Sequence, residues 1–256
     1  MRRNNIKEKL MSGGVCTVVS GSVMTGDMIE LFGQFGFDGA WIECEHGPIT
    51  WNQLGDLARA CDLCGMTSVT RVPAKDPWII TRTLDRGVNG IVVPHVNTRE
   101  DAELVVRASK FGPIGDRGIY GGRRSFGRDD FFQKANEETL LVVLIEEITA
   151  VENLSEILQV EHIDVFFVAS GDLAQTMGLV GQHTHPEVVA VAEGVIRQIA
   201  DAGRVAGTNI MTHSVDRALE QGARFLMAQA DGWLASGAKS FLSEVDSCSK
   251  SVVKSS

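Results

Sequence analysis

Four short stretches carry side chains that could do chemistry together. Glu43-Cys44-Glu45-His46-Gly47-Pro48 sets two acids ahead of a histidine in a turn, and Arg71-Val72-Pro73 closes a β-branched run on a guanidinium. Glu146-Glu147 ends the apolar run Leu140–Ile145, and Ser170-Gly171-Asp172 follows the run Asp164–Val168. Glu146 and Asp172 are hard oxygen donors. Two carboxylates, completed by water or substrate oxygens, are a common way to hold Mg²⁺ or Mn²⁺ in an open catalytic site. Asp172 has a competing reading as a helix cap ahead of Ala174-Gln175-Thr176-Met177. Glu146 is harder to explain without a partner, because a buried unpaired carboxylate is costly; Glu147 is the exposed alternative. Arg71 stays charged at any working pH, so it either closes a structural ion pair or stabilises an oxyanion that develops during reaction. Beside these groups, His46 becomes a candidate general base.

What would bring these stretches together is their position on strands. Eight apolar runs recur, at Val15–Val19, Ala40–Glu43, Ser68–Arg71, Gly90–Val93, Leu140–Ile145, Asp164–Val168, Val205–Asn209 and Arg224–Ala228. Helical patterns separate them, at Thr25–Gln34, Trp51–Cys64, Pro77–Asp85, Arg99–Lys110, Val151–Leu158, Pro186–Ala202 and Ser214–Gln221. Runs as continuous as those in Leu140–Ile145 and Val165–Ala169 suit strands covered on both faces, as in a parallel sheet. The alternation predicts a single α/β domain over residues 1–256, a (β/α)8 TIM barrel with a short N-terminal helix. A doubly wound open sheet is the competing architecture, but no G-x-G-x-x-G opens a helix after the first strand. Asp76-Pro77, Thr98 and His185-Pro186 mark helix starts, and Gly36, Gly65, Gly87, Gly203 and Gly222 follow helices where a left-handed cap is easily adopted. From Ser247 onward the chain is small and polar, and is expected to fray. In a parallel barrel the carboxyl ends of the strands face one mouth, so acids, base and arginine from four strand ends converge there.

Other candidates carry weaker arguments. Cys61 and Cys64 are spaced as C-x-x-C inside a helical pattern without a second pair, which reads as core packing. His183 and His185 lie in a polar loop and read as solvated. His95, after Pro94 at the end of the fourth run, could line the mouth. The glycine-rich stretch Phe111–Gln133 holds Arg117, Arg123, Arg124 and Arg128, which either greet an anionic substrate or form a solvated loop. The net charge of −9 disfavours a broad nucleic-acid surface. The start of the chain lacks a secretory apolar core, no run is long enough to span a membrane, and five scattered cysteines fit a reducing cytoplasm.

These residues fall within segments that resemble the HpcH/HpaI aldolase family, the metal-dependent class II pyruvate aldolases. The resemblance covers about Ile6 to Leu242. It is carried by the motifs at residues 36–48, 70–96, 115–122, 144–158 and 165–178, with E-H-x-P, R-V-P and the I-E…D-L pair in order. It implies that Glu146 and Asp172 bind a divalent cation (Mg²⁺, Mn²⁺ or Co²⁺), that His46 is the base, and that Arg71 contacts the keto oxygen. It further implies that Asp85 supports the histidine across a subunit interface, that the backbone of Gly171 and Asp172 receives the pyruvate carboxylate, and that the protein is a homohexamer built from dimers, with a helix exchanged between partners. The implied reaction is reversible cleavage of a 4-hydroxy-2-oxoacid to pyruvate and an aldehyde through an enolate. Leu144 stands where relatives carry Gln, Ala169-Ser170-Gly171-Asp172 replaces a Gly-Pro turn, and Glu43 stands where Asp is common. A citrate-lyase-like acyl-CoA lyase and a non-catalytic oxoacid-binding barrel are the competing functions.

Overall fold

The computed structural model describes residues 2–210 and 214–254. Eight parallel strands close on themselves in chain order: β1 (Cys16–Ser20), β2 (Gly39–Glu43), β3 (Thr67–Arg71), β4 (Gly90–Val93), β5 (Leu140–Ile145), β6 (Val165–Val168), β7 (Ala206–Asn209) and β8 (Ala223–Gln229). Every strand run expected from the sequence is present, each end within one residue of its place. The barrel expectation therefore holds. The helices are α1 (Asn5–Met11), α2 (Gly26–Gln34), α3 (Trp51–Cys64), α4 (Pro77–Asp85), α5 (Arg99–Ser109), α6 (Phe131–Glu138), α7 (Ile148–Glu152), α8 (Leu154–Ile157), α9 (Ser170–Thr176), α10 (Pro186–Asp201), α11 (Val215–Glu220) and α12 (Ala230–Lys254).

Local chemistry explains the boundaries. Asp76 caps α4 by accepting from the amides of Trp78 and Ile79, Thr98 caps α5 in a capping box with Asp101, and His185 precedes Pro186 at the start of α10. The five glycines expected as left-handed caps all have positive φ, between 72° and 95°. Two segments differ from expectation. The single helix expected over Val151–Leu158 starts earlier and breaks at Asn153, whose side-chain amide instead donates to the Asn97 carbonyl at 2.9 Å. The tail expected to fray from Ser247 instead continues α12 to Lys254. Its serines return their hydroxyls to the helix backbone, Ser247 to the Ser243 carbonyl at 2.7 Å and Ser249 to that of Asp246 at 3.2 Å. A helix already propagated from Ala230 is not broken by such residues.

Strand geometry divides the core in two. Side chains alternate across each strand, so one set points at the helices and the other into the barrel. Trp41, Val69, Val92, Val142, Leu144, Phe167, Phe225 and Met227 fill the interior, and Ile6 and Leu10 of α1 close its lower end. Gly207 is required by this packing: a β-carbon there would lie 2.9 Å from the Phe167 ring and 3.1 Å from that of Phe225. The upper end is left for polar side chains.

The glycine-rich stretch is neither a solvated loop nor an anion trap. Arg117 is buried, reaches Asp85 Oδ1 at 2.8 Å and stacks on the Phe111 ring. Arg123 and Arg124 pair with Asp62 at 2.8 and 3.1 Å and donate to the Gly87 carbonyl. Three of its arginines thus staple the segment to α3 and α4. Nearby, Lys110 is fully buried and donates to the carbonyls of Asn136 (2.7 Å) and Thr139 (2.9 Å).

Burial, with help from the Lys7 charge, pushes the Lys110 ammonium down to about 8. Below that pH both folded and unfolded chains hold the proton, and the burial penalty is fully present. Between pH 8 and the ordinary lysine value only the unfolded chain keeps it, so stability rises with pH. Chemical denaturation at pH 7.5 and 9.5 should show wild type gaining on the order of 2 kcal/mol relative to Lys110→Met; parallel pH slopes for the two proteins would contradict this.

Candidate active site

The inward alternation of the strands selects which residues reach the upper mouth. Counting by twos, Trp41 is followed inward by Glu43, Val69 by Arg71, Leu144 by Glu146, and Phe167 by Ala169. Strand register then aligns them, with Glu43 opposite Arg71 and Arg71 opposite Val92. A cavity of about 530 Å³ opens at this end, floored by Trp41, Leu144, Phe167 and Met227 and walled by Glu43, His46, Arg71, Gly171, Asp172 and His183 among others. His46, Arg71, Gly171 and Asp172 of the expected site line this cavity, whereas Glu146 is buried and is not part of its lining. His183, read from the sequence as solvated, also lines it, from the loop before α10.

Arg71 is tied to two acids through one edge only. Its Nε donates to Glu43 Oε2 at 2.8 Å and lies 3.0 Å from Glu45 Oε2, which gains the charge contact but no hydrogen bond. Glu43 is fixed further, since its Oε1 accepts from the amides of Glu45 (2.8 Å) and His46 (3.1 Å) and its Oε2 from the Trp41 indole. The turn therefore folds around the Glu43 carboxylate. Among the described residues the two terminal nitrogens of Arg71 have no partner, so their N–H donors remain available to an oxyanion in the cavity. His46 is largely exposed, with Nε2 4.0 Å from Glu45 Oε2. Arg71 is both things the sequence left open: a structural ion pair at Nε and an open donor beyond it.

Glu146 is 1 % exposed, and its Oε2 has no hydrogen-bond partner. Its Oε1 accepts from the His95 amide at 2.8 Å. Burial pushes its carboxyl up to about 7, and the Asp172 charge pushes the same way, against the His95 amide, the His95 ring and Arg71. Asp172 lies in the first turn of α9, but no side chain caps that helix, so the capping alternative fails. Glu147 instead turns away to His95 Nδ1 (2.7 Å) and the Asn97 amide (2.9 Å). A buried oxygen without a donor, near a second carboxylate, is an electrostatic demand for a cation. Glu146 and Asp172 fit that role, with remaining positions for water or substrate oxygens. Among the described residues no cluster of three or more His, Cys, Asp or Glu side chains is arranged to hold an ion, so the protein would supply two ligands.

His95 is the residue whose weight the sequence understated. It adopts φ +56°, a left-handed conformation uncommon outside glycine. Its imidazole touches Glu147, Glu146 (3.6 Å) and Glu45 (3.4 Å) at once, and Lys75 donates to its carbonyl at 2.8 Å. Burial works against its protonation, but the Glu147 hydrogen bond and the charges of Glu146, Glu147 and Glu45 outweigh it and raise its pKa. Glu45, too, was visible only as one acid in a turn. Asp85 is not brought to this mouth: it ends α4 and pairs with Arg117. Cys61 is buried, and its thiol is pushed far up by burial, in keeping with core packing.

Comparison with known proteins bears on the family and the fold. A family model described as HpcH/HpaI aldolase/citrate lyase matches residues 22–238. The hydroxypyruvate/pyruvate aldolase of Roseobacter denitrificans is 33 % identical over 235 residues, covering 89 % of this chain and 91 % of that one. The 2-keto-3-deoxy-L-rhamnonate aldolase of Escherichia coli is 32 % identical over 240 residues, covering 92 % and 90 %. A solved structure of an HpcH/HpaI aldolase/citrate lyase family protein from Burkholderia cenocepacia superimposes with a TM-score of 0.88 at 28 % identity, covering 95 % of this chain and 99 % of that one.

Because the His95 imidazole braces both Glu147 and Glu45 while its amide holds Glu146, replacing the ring should loosen the acids. His95→Asn keeps a residue tolerant of positive φ and should bind Mn²⁺ about 10-fold more weakly by titration calorimetry. Unchanged affinity would remove the ring from the ligand scaffold.

Proposed function

The chain belongs to the HpcH/HpaI aldolase/citrate lyase family and is an aldolase, a carbon–carbon lyase; from that premise we propose how its residues cleave a 4-hydroxy-2-oxoacid to pyruvate and an aldehyde. The observation that carries the proposal is the buried, donorless oxygen of Glu146, which feels the charges of both Asp172 and Arg71, together with the open edge of Arg71. Glu146 and Asp172 would hold a divalent cation, with Mg²⁺, Mn²⁺ and Co²⁺ all suited to oxygen ligands. When bound, that cation supplies Lewis-acid stabilisation of negative charge on the substrate's keto oxygen.

The protein's own groups account for the rest. The first-turn amides of Gly171 and Asp172 receive the oxoacid carboxylate, and no side chain at Gly171 obstructs the approach. His46 takes the proton from the C4 hydroxyl. The C3–C4 bond then breaks, C4 leaves as the aldehyde carbonyl, and the bonding pair moves into the enolate of pyruvate. The free N–H groups of Arg71 stabilise the enolate oxygen as it forms, and protonation at C3 completes pyruvate. Glu45, close to both Arg71 and His46, holds the two in one electrostatic unit. Trp41, Leu144 and Phe167 exclude water from below. Asp85 would reach a histidine only on a second subunit, since within the chain it is engaged by Arg117.

The acyl-CoA lyase alternative is less well supported. Coenzyme A brings phosphates, and among the described lining residues Arg71 is the only Lys or Arg. The proposal includes a homohexamer. α12 exposes Leu234, Phe241, Leu242 and Val245 at helical spacing, which fits burial against a second copy of the chain. It also includes the cytoplasm, a reducing compartment that suits the thiols of Cys16, Cys44, Cys61 and Cys64. No helix among the described residues is long and apolar enough to cross a membrane.

A coupled pyruvate assay over a panel of 4-hydroxy-2-oxoacids should give metal-dependent turnover that a chelator abolishes. Glu146→Ala and Arg71→Ala should each lower kcat/KM by about 100-fold or more. Absence of pyruvate with every metal and substrate, or thioester cleavage in its place, would refute the proposal. Phe241→Glu with Leu242→Glu should reduce the assembled mass in light scattering; an unaltered mass would exclude α12 from the subunit contact.

A further inference from the structure

The wall of the cavity away from Arg71 and Glu146 is built from β1, β7 and β8, which lie across the barrel from β4 and β5. Its polar side chains are Ser20, Ser22, Asn209, Gln229, Asp231 and, from the loop before α10, His183. Asp231 is the charged one, and it is anchored: both its carboxylate oxygens accept from the Ser22 amide, at 2.9 and 3.2 Å. Among the described lining residues no Lys or Arg stands on this wall, and the only guanidinium among them, that of Arg71, ends β3 on the other side of the mouth, beside Glu43 and Glu45. An anionic group carried out to this side would therefore meet a fixed carboxylate and, among the described lining residues, no Lys or Arg.

Amide and carboxylate acceptors with an imidazole make a surface suited to hydroxyl groups, which both donate and accept. A site built to hydrogen-bond a hydroxyl also discriminates against an analogue lacking it, because its own polar groups are then left unpaired. We propose that the aldehyde half of the substrate is a neutral hydroxyaldehyde, with Asp231 and Gln229 as the residues that select it and exclude aldehydes bearing a carboxylate, sulfonate or phosphate. This rests on the aldolase reading above and adds the class of the second substrate.

The test is condensation of pyruvate, by the Mn²⁺-supplied wild-type enzyme, with glyceraldehyde, butyraldehyde and succinic semialdehyde. The expected kcat/KM for glyceraldehyde is at least tenfold above either of the others. Succinic semialdehyde equal to or better than glyceraldehyde overturns the exclusion of anions, and butyraldehyde equal to it overturns the selection of hydroxyls. Asp231→Asn, which keeps an acceptor for the Ser22 amide, should narrow the glyceraldehyde-to-succinic-semialdehyde ratio at least fivefold; an unmoved ratio removes Asp231 from the role. Failure of all three aldehydes to react overturns the aldolase reading and this inference together, whereas turnover with the wrong preference overturns this inference alone.

Discussion

The structure depends on keeping negative charge at the mouth of an apolar barrel. Glu43, Glu45, Glu146, Glu147 and Asp172 gather there, and among the described lining residues one guanidinium answers them. Carboxylates withdrawn from water repel each other and seek protons or cations. Arg71 and His95 satisfy part of that demand, Arg71 through Nε and His95 through its amide and both ring nitrogens. What is left over is concentrated at the bare oxygen of Glu146, and it is the feature on which the proposed cation site rests.

The barrel makes this arrangement sustainable. Its interior, from Ile6 to Phe167, is packed with aliphatic and aromatic side chains, so the strands are rigid where they deliver the acids. Arginine staples between the glycine-rich segment and α3 and α4 fix the outer ring at the opposite end, and Lys110 ties α5 to the segment ahead of β5. The left-handed turn at His95 is where the chain accepts local strain, and it is the turn that aims a backbone N–H at Glu146. Stability is thus distributed over the lower barrel and helices, while the upper rim carries the electrostatic cost of function.

The division of the mouth into two walls gives the same chain two kinds of recognition. Near β3 to β6, charge dominates and suits an oxoacid whose oxygens are themselves charged or polarised. Near β1, β7 and β8, neutral polar groups and one anchored acid dominate. The recognition proposed there would depend on hydrogen-bond matching rather than on charge attraction.

The sequence alone determined the barrel, since strand hydrophobicity, caps and glycine stops are local effects written in short stretches. It also placed Arg71, Glu146 and Asp172 at strand ends, because a charged residue closing an apolar run stands out in one dimension. It did not separate ligand from neighbour at Glu43 and Glu45, nor assign weight to His95, nor find Asn209, Gln229 and Asp231 as a wall. Those depend on which way side chains alternate and on which strands face each other across the barrel. Nor could it tell that Arg117, Arg123 and Arg124 are consumed by Asp85 and Asp62, or that His183 lines the cavity. Pairing between residues tens of positions apart is decided when the barrel closes, because only closure sets the distances on which ion pairs and desolvation depend.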